Sequence, residues 1–342
     1  VPPSSSFRAG YAYSNAGLTM GALAAARASG LDWETAAEDF VFKPLGMAST
    51  SYRHSDFEGR ADAAQLHVRI GDAWTALVKR DADAQAPAGG ASSSVRDLAQ
   101  WMRLELGRGI HDGAPLIPAE AIAETHEPVM ARGPDPIRGN PTFYALGWAV
   151  EYTPRGVKWG HAGAFSNGAR TLVSLYPDSE LGIVVLTNAF PTGVPEGLAE
   201  SFFDLVFEGE VARDYFAPWN ALYASLFEPA IAEASRTFAT PPEPPSPARP
   251  DAAYVGTYAG AYAGTATVTA AAGTLTLALG PEGRARYPLT HFDRDIFLSH
   301  PSPEMPEMPG MARFTLGPDG TAVSITIDSL DANGLGTLTR VD

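Results

Sequence analysis

The chain has 342 residues, of which 45% are hydrophobic and 18% charged, so it is long enough for two domains with a buried core and is not broadly disordered. Its formal net charge of −15 and its lack of a basic stripe make nucleic acid and anionic membrane surfaces poor partners. The absence of cysteine excludes disulfides, thiolate nucleophiles and zinc–thiolate sites, and no uncharged apolar run reaches the roughly 18 residues of a membrane span.

Two helices are predicted in the first third of the chain. Residues 15–29 are rich in alanine and leucine, and Gly30 is placed as a C-terminal stop. Ser94 followed three residues later by Asp97 has the spacing of a capping box, which predicts a second helix that continues through Leu106.

Two strands and a closing helix are predicted next. Residues 171–176 and 181–187 read as strands joined by a turn, and the second is an almost continuous apolar run, as in a strand covered on both faces. A helix follows over residues 195–207, with Gly209 just past its end. Helices, then an antiparallel sheet, then a closing helix indicate an α+β domain.

A proline-rich segment provides the clearest boundary. Residues 241–250 contain six prolines in ten positions, which favours an extended spacer over a helix or a central strand. A PxxP ligand for a partner is the alternative, and we interpret the segment as a linker. The predicted domains are therefore residues 1–240 and residues 251–342.

Strict alternation of apolar and polar residues begins after the linker. Period two with one apolar face describes half-buried strands, and short turns separate the repeats, so about eight strands fit in this region. It is predicted to form a small antiparallel barrel or sandwich. The alternating apolar positions include Leu275, Leu277, Leu279, Val323, Ile325 and Ile327.

Two short motifs carry residues suited to catalysis. Tyr13-Ser14-Asn15 stands immediately before the first helix, and Trp159-Gly160-His161-Ala162-Gly163-Ala164 stands just before the first predicted strand. Each motif alone has a simpler interpretation, namely a helix cap and a loop histidine. Their order along the chain is more informative than either one.

Taken together, these motifs and the sequence segments around them resemble the serine β-lactamase, penicillin-binding-protein and esterase superfamily. The resemblance is strongest to its class C-like branch with an appended lipocalin-like barrel, and it covers nearly the whole chain. The matching phrases are Arg8 to Gly17, Phe42 to Met47, Pro87 to Gly90 with Ser93 and Ser94, Ala145 to Trp148, and, in the barrel, Tyr254, Gly256, Tyr258 and Tyr287 to Leu289.

The resemblance implies acyl transfer through a covalent acyl-enzyme. Tyr13 would act with a lysine as the base that takes the serine proton, and Asn15 would hold the acyl-side amide of the substrate. His161 would lend partial positive charge near Tyr13, with activity sensitive to pH between 6 and 8. Gly163 would let the substrate approach the strand, and the backbone amide of Ala164 would form half of the oxyanion hole.

The chain departs from this family in one respect, because it contains no Ser-x-x-Lys motif. The resemblance places that motif before Val1, so we expect the chain to begin inside a longer product and this polypeptide alone to be inactive. Strand 181–187 would then have an unpaired apolar edge. The residues three positions before Lys43, Lys79 and Lys158 are Phe40, Ala76 and Arg155.

Three functions remain open. The first is a serine hydrolase acting on small peptides, amides, esters or β-lactams, and the second is a non-catalytic relative that only binds such ligands. The third is a ligand-binding or oligomer-forming role for the barrel. No cofactor or metal is expected: Met305, Met308 and Met311 read as a loop rather than a copper site, and His126 as structural. By analogy with the family, the location would be periplasmic or secreted.

Overall fold

The computed structural model describes residues 3, 5–76, 80–238, 240–300 and 309–342, with the backbone alone for residues 227–235. Contacts divide the chain into two compact units, Ser4–Ala224 and a second that contains Ser225–Asp342. The division falls upstream of the proline-rich segment. Met305 and Met308 lie outside the described residues.

Helices of the described residues belong mainly to the first unit. None of them combines the length and the apolar composition that crossing a bilayer requires. The helices are α1 (Asn15–Ala28), α2 (Trp33–Ala37), α3 (His54–Glu58), α4 (Ala86–Gly89), α5 (Val95–Leu106), α6 (Ala119–His126), α7 (Val194–Glu208) and α8 (Phe216–Phe238).

A six-stranded antiparallel sheet forms the centre of the first unit, in the order β10-β9-β8-β7-β6-β5, so β10 lies at its edge. A small sheet in the order β11-β1-β2 and the hairpin β3-β4 accompany it. The strands are β1 (His67–Ile70), β2 (Ala73–Ala76), β3 (Ile110–His111), β4 (Ala114–Pro115), β5 (Met130–Pro134), β6 (Pro141–Tyr144), β7 (Ala149–Thr153), β8 (Gly156–Phe165), β9 (Ala169–Tyr176), β10 (Leu181–Thr187) and β11 (Ala189–Phe190).

Helix ends follow the local signals in the sequence. Ser14 caps α1 by accepting a hydrogen bond from the Gly17 amide at 3.1 Å. Gly30 and Gly209 adopt positive φ values of 79° and 82° just beyond α1 and α7, where residues with a Cβ atom are disfavoured. The α+β class predicted from the sequence is confirmed.

The predicted capping box of α5 forms only in part. Ser94 accepts from the Asp97 amide at 3.2 Å, as expected. The Asp97 carboxylate turns away from the helix start, because it accepts from the Ser49 amide at 2.7 Å and the Thr50 hydroxyl at 2.8 Å. Asp97 therefore fastens the loop that precedes α3 to α5.

The second unit contains a closed eight-stranded antiparallel barrel, as predicted. Apolar side chains fill its interior, and the rings of Tyr254 and Tyr258 are fully buried there. Val323 departs from the predicted alternation: a register shift in its pairing leaves it exposed. The strands are β12 (Gly256–Gly260), β13 (Gly264–Ala271), β14 (Thr274–Leu279), β15 (Ala285–Asp293), β16 (Ile296–Ser299), β17 (Gly310–Leu316), β18 (Ala322–Ile327) and β19 (Thr337–Arg340).

Hydrogen bonds fasten part of the proline-rich segment to the barrel. The Ser246 amide donates to Asp293 at 2.6 Å, and the Arg249 amide donates to the Tyr254 hydroxyl at 2.8 Å. The Tyr254 hydroxyl in turn donates to Asp295 at 2.7 Å. The second half of the segment is thus held against the barrel rather than extended freely from it.

Strand β8 separates two different environments. Because side chains alternate across a strand, Trp159 and Lys158 point to opposite faces of the sheet. Lys158 forms ion pairs with Glu151 on β7 at 2.5 Å and with Glu200 on α7 at 3.4 Å, and Glu200 also pairs with Arg138. Removing one partner from such a buried network leaves an uncompensated charge, at a cost of about 3–5 kcal/mol.

A buried histidine and a buried carboxyl lie on the other face. The His126 ring stacks on Trp159 with centroids 3.6 Å apart, and His126 Nδ1 bonds to the Ile122 carbonyl oxygen at 2.9 Å. Its Nε2 therefore faces the Glu105 carboxyl, 3.7 Å away, with a lone pair when the ring is neutral. Burial raises the pKa of Glu105 to about 7 and lowers the pKa of His126 to about 4.

These two shifts affect stability in opposite directions. Between pH 4.5 and 7 the folded state holds the Glu105 proton more tightly than the unfolded state, so stability falls as pH rises. Between pH 4 and 6.5 the unfolded state binds the His126 proton more tightly, so stability rises with pH. The two dependences largely cancel where the windows overlap.

In the variant Glu105→Gln, the pH dependence of stability is therefore expected to come from His126 without the opposing effect of Glu105. Relative to the unsubstituted chain, its stability should rise from pH 4.5 to pH 6.5 by an amount on the order of 3 kcal/mol. Urea unfolding followed by tryptophan fluorescence measures this, since all six tryptophans lie in the first unit. His126→Gln is the matched variant and should show the opposite slope; parallel curves for all three proteins would contradict this account.

Candidate functional site

The short connection between β6 and β7 brings a tyrosine to His161. Tyr144 ends β6 and pairs with Ala149 on β7, and Ala149 in turn pairs with Gly160 on β8. Tyr144 and Gly160 thus flank the same residue of β7, and His161 follows Gly160. The Tyr144 hydroxyl reaches His161 Nε2 at 3.0 Å. Tyr144 donates this bond when Nε2 is unprotonated.

Tyr13 completes an aromatic cluster around this pair. Its ring centroid lies 6.3 Å from that of His161 and 6.0 Å from that of Tyr144, in an edge-on arrangement with the latter. Tyr11 lies 5.5 Å from Tyr144. Tyr13 is 51% exposed, so its phenol remains accessible to a ligand. The structure therefore brings Tyr13 and His161 together, although 148 positions separate them in the sequence.

Asn15 lies close in sequence to Tyr13, and Gly163 and Ala164 lie close in sequence to His161. Asn15 is the first residue of α1, two positions after Tyr13, and its side chain is exposed. Gly163 follows His161 by two positions and shares its face of β8. A Cβ atom on Gly163 would lie 2.7 Å from Thr171 Oγ1, so the strand has no room for a side chain there. Ala164 is exposed near the end of the strand.

Burial shifts the titration of the tyrosines upward. It raises the pKa of Tyr13 above its usual value of 10 and raises the pKa of Tyr144 to about 12. The charge of Arg132 lowers both values but does not offset burial. At pH 7 the phenolate form of Tyr13 is thus rarer than in free tyrosine.

The titration of His161 moves in the opposite direction. Burial lowers its pKa below 6.5, the positive charges of Arg132 and Arg170 lower it further, and a backbone hydrogen bond to Ala162 partly offsets these effects. This shift favours the neutral ring, which can take part in hydrogen bonding. The sensitivity of activity to pH between 6 and 8 stays a prediction.

A buried ion pair underlies the end of β8. Arg170 pairs with Ala164 across the sheet, and its guanidinium contacts both Glu196 on α7 and the Tyr223 hydroxyl on α8. The Tyr223 hydroxyl also donates to Glu196 at 2.8 Å. These contacts fix the first turn of α7 and the N-terminal half of α8 against β9, the strand that pairs with β8 at Gly163 and Ala164.

Neither described lysine approaches Tyr13. Lys43 is exposed and pairs with Glu38 at 3.0 Å and Asp39 at 2.8 Å, and Lys158 belongs to the network on the opposite face of β8. Lys79 lies outside the described residues. Among the residues that the structure describes, the cation next to the aromatic cluster is Arg132, over the rings of Tyr11 and Tyr144.

Sequence reasoning missed three residues of this cluster. Tyr144 directly precedes the Ala145 to Trp148 segment, and Tyr11 lies inside the Arg8 to Gly17 segment, so both had a signal in the sequence. Arg132 has no such signal, because it comes from β5 and reaches the cluster only through the folding of the sheet.

Comparison with known families gives two matches. The profile of the Beta-lactamase family matches residues 1–202, and that of a domain of unknown function, DUF3471, matches residues 240–337. No curated protein matches the chain significantly.

Solved structures give further similarities. An octameric penicillin-binding protein homologue from Pyrococcus abyssi is 16% identical, with a TM-score of 0.48, over 96% of this chain and 64% of its own length. A D-stereospecific amidohydrolase from Streptomyces sp. is 19% identical, with a TM-score of 0.44, over 59% of this chain and 56% of its own. The C-terminal domain of a penicillin-binding protein is 38% identical, with a TM-score of 0.26, over 29% of this chain and 93% of its own. The chain thus spans less than two thirds of the first and second of these proteins.

Substitution of Gly163 tests the close packing of β8 and β9. Gly163→Ala should lower the free energy of unfolding by about 1–3 kcal/mol, because the new methyl group meets Thr171 Oγ1. Adding Thr171→Ala to the Gly163→Ala variant should recover most of the lost stability. Gly160→Ala is the control: its Cβ atom would meet the Val173 carbonyl oxygen at 2.9 Å, so Thr171→Ala should not rescue it. Equal rescue of both would contradict the assigned contact.

Proposed function

Because the chain belongs to the β-lactamase family of serine hydrolases, we propose that Tyr13, Asn15 and His161 line the acyl-transfer pocket of a serine hydrolase. The substrates would be small peptides, amides, esters or β-lactams. The observation that carries the proposal is the cluster itself: the Tyr13 ring lies 6.3 Å from His161, whose Nε2 is held by the Tyr144 hydroxyl at 3.0 Å.

In this proposal each residue has a different role in acyl transfer. A serine oxygen attacks the acyl carbon of the substrate, its proton passes to the Tyr13 phenolate, and the leaving group takes that proton as it departs. His161 and Tyr144, which are hydrogen-bonded to each other, position the phenol through their ring contacts with it. Asn15 binds the acyl-side amide, and the open strand at Gly163 lets the carbonyl approach the Ala164 amide.

The electrostatics of the cluster explain why this pocket needs a further cation. Tyr13 can accept a proton only if a nearby positive charge stabilises its phenolate. Burial raises its pKa instead, and Arg132 does not compensate. In the family that role falls to the lysine of Ser-x-x-Lys, a motif that this sequence does not contain. We therefore infer that this polypeptide by itself binds ligands without forming an acyl-enzyme.

The second candidate is a non-catalytic relative that binds the same ligands. The two candidates share the pocket and differ only in the nucleophile. We further propose that residues 1–240 and 251–342 are separate domains joined by residues 241–250. The filled interior of the barrel supports a structural role for it over small-ligand binding inside it.

Covalent labelling tests the inferred inactivity. We expect incubation of this chain with a fluorophosphonate probe or benzylpenicillin to leave its intact mass unchanged. A mass increase would contradict the inference, and sequencing of the modified peptide would then identify the nucleophile. A serine hydrolase with an intact Ser-x-x-Lys motif serves as the positive control for both reagents.

Reversible binding tests the pocket itself. Benzylpenicillin should shift the ring-proton resonances of His161, and Asn15→Ala should weaken its affinity about three- to tenfold, as expected for loss of one hydrogen bond. Asn333→Ala, a matched change at an exposed barrel turn, should leave the affinity unchanged. If the ligand shifts no resonance of His161, the pocket is wrongly assigned.

A further inference from the structure

A cavity of about 390 Å³ lies in the first unit and is separate from the aromatic cluster. It is formed by α2, the helical turn Glu38–Phe42 that continues α2, and the segment 46–60. Among the described residues, none lines both this cavity and the cluster around Tyr13. Its volume is within the range of small-molecule sites. We call it the α2 cavity, and its lining includes Glu34, Phe42, Met47, Tyr52 and Arg60.

Buried apolar side chains form part of the wall of the α2 cavity. Phe42 and Met47 belong to a buried hydrophobic cluster, and the Phe42 ring stacks on that of Tyr52 with centroids 5.5 Å apart. Burial raises the pKa of Tyr52 to about 12, which favours the uncharged phenol. This part of the wall is therefore suited to an apolar portion of a ligand.

Most charged groups of the lining have partners within the protein. Lys43 pairs with Glu38 at 3.0 Å, and Arg53 pairs with the same carboxylate at 3.7 Å. Asp56 accepts a hydrogen bond from the Ser51 hydroxyl at 2.6 Å. The charges of these residues are thus largely balanced without a ligand.

Glu34 is the exception among the acidic residues of the lining. It is half-buried, and within the described part of the chain its carboxylate forms no hydrogen bond or ion pair. The start of α2 does not use it, because Asp32 caps that helix by accepting from the Thr35 amide at 2.7 Å. Since burial of an unpaired charge is unfavourable, a cationic group placed beside Glu34 would be stabilised.

Arg60 is the exception among the basic residues of the lining. Its Nη2 atom donates to the Ala48 carbonyl oxygen at 3.2 Å, and no carboxylate of the described residues forms an ion pair with it, Glu34 included. A guanidinium has five N–H groups, so most of those on Arg60 remain available to an anion. A carboxylate is a suitable anion because it can accept two parallel hydrogen bonds from a guanidinium.

We propose that the α2 cavity binds a short peptide with free termini, whose ammonium group contacts Glu34 and whose carboxylate contacts Arg60. Two unpaired charges of opposite sign fit a zwitterion, because a ligand with a single charge would leave one of them without a partner. The apolar wall accommodates the side chains of the peptide. This site is independent of the proposed acyl-transfer pocket and does not rest on the proposed function.

Three ligands that differ only at their termini test the proposal. The first is the dipeptide L-alanyl-L-alanine, the second is its N-acetyl form, which lacks the ammonium group, and the third is its C-terminal amide, which lacks the carboxylate. In an NMR titration the methyl resonance of Met47 reports occupation of the cavity, and that of Met102, buried in a different cluster, is the internal control. The dipeptide should bind about three- to tenfold more tightly than either blocked form.

The order of affinities separates a specific site from the effect of net charge. The protein carries a net charge of −15, so bulk electrostatics alone would favour the cationic amide over the neutral dipeptide. The proposal predicts the reverse order for these two ligands.

Two substitutions assign the contacts. Glu34→Gln should abolish the preference for the dipeptide over its N-acetyl form, and Arg60→Gln should abolish the preference for the dipeptide over its amide. Each variant should keep the preference that the other one loses. Glu124→Gln and Arg108→Gln remove the same charges from exposed positions outside the cavity and should change no affinity.

Several outcomes would overturn the proposal. They are no shift of the Met47 methyl resonance with the dipeptide, equal affinities for the three ligands, and tighter binding of the amide than of the dipeptide. A shift at His161 without one at Met47 would place the peptide in the other pocket and would overturn it as well. The comparison of ligands on the unsubstituted chain remains decisive if a variant fails to fold, and none of these outcomes bears on the assignment of the acyl-transfer pocket.

Discussion

The alternation of side chains along β8 is the constraint on which the architecture of the site depends. Trp159, His161 and Phe165 project from one face, where they meet α6, Tyr13 in the segment before α1, and α4, respectively. Lys158 projects from the other face into the ion pairs with β7 and α7. A shift of one residue in the pairing of β8 would exchange these sets, burying a lysine among tryptophans and turning His161 away from Tyr13.

Several interactions hold this register. Lys158 forms its ion pairs only when its side chain faces Glu200. Trp159, the next residue, stacks on His126 only when its side chain points to the other face of the sheet. Gly163 adds a steric condition, because only a residue without a Cβ atom fits against Thr171. The polar network behind the sheet and the aromatic packing in front of it therefore specify the same arrangement.

The electrostatics of the cluster follow from burial rather than from pairing. Desolvation is the largest cause of the pKa shifts of Tyr13, Tyr144 and His161, and each shift favours the neutral form. A neutral hydrogen-bonded cluster can bind and orient a ligand. Proton transfer would require a positive charge closer to Tyr13 than Arg132, which lies over the neighbouring rings.

The sequence by itself determined the class of the fold, the short antiparallel strands of the second unit, the main helix ends and the family motifs. Each of these depends on local patterns: capping residues, period-two alternation and short motifs in a fixed order. Only the tertiary structure decided what surrounds those motifs. Arg132 reaches the cluster through a bulge, Val323 faces outward through a register shift, and Asp97 leaves its capping box to bind Ser49 and Thr50. Bulges and competing hydrogen-bond partners depend on strands and loops that lie far apart in sequence, and burial depends on the whole packed core. For that reason the pKa of His161 could not be predicted from its neighbours in the chain.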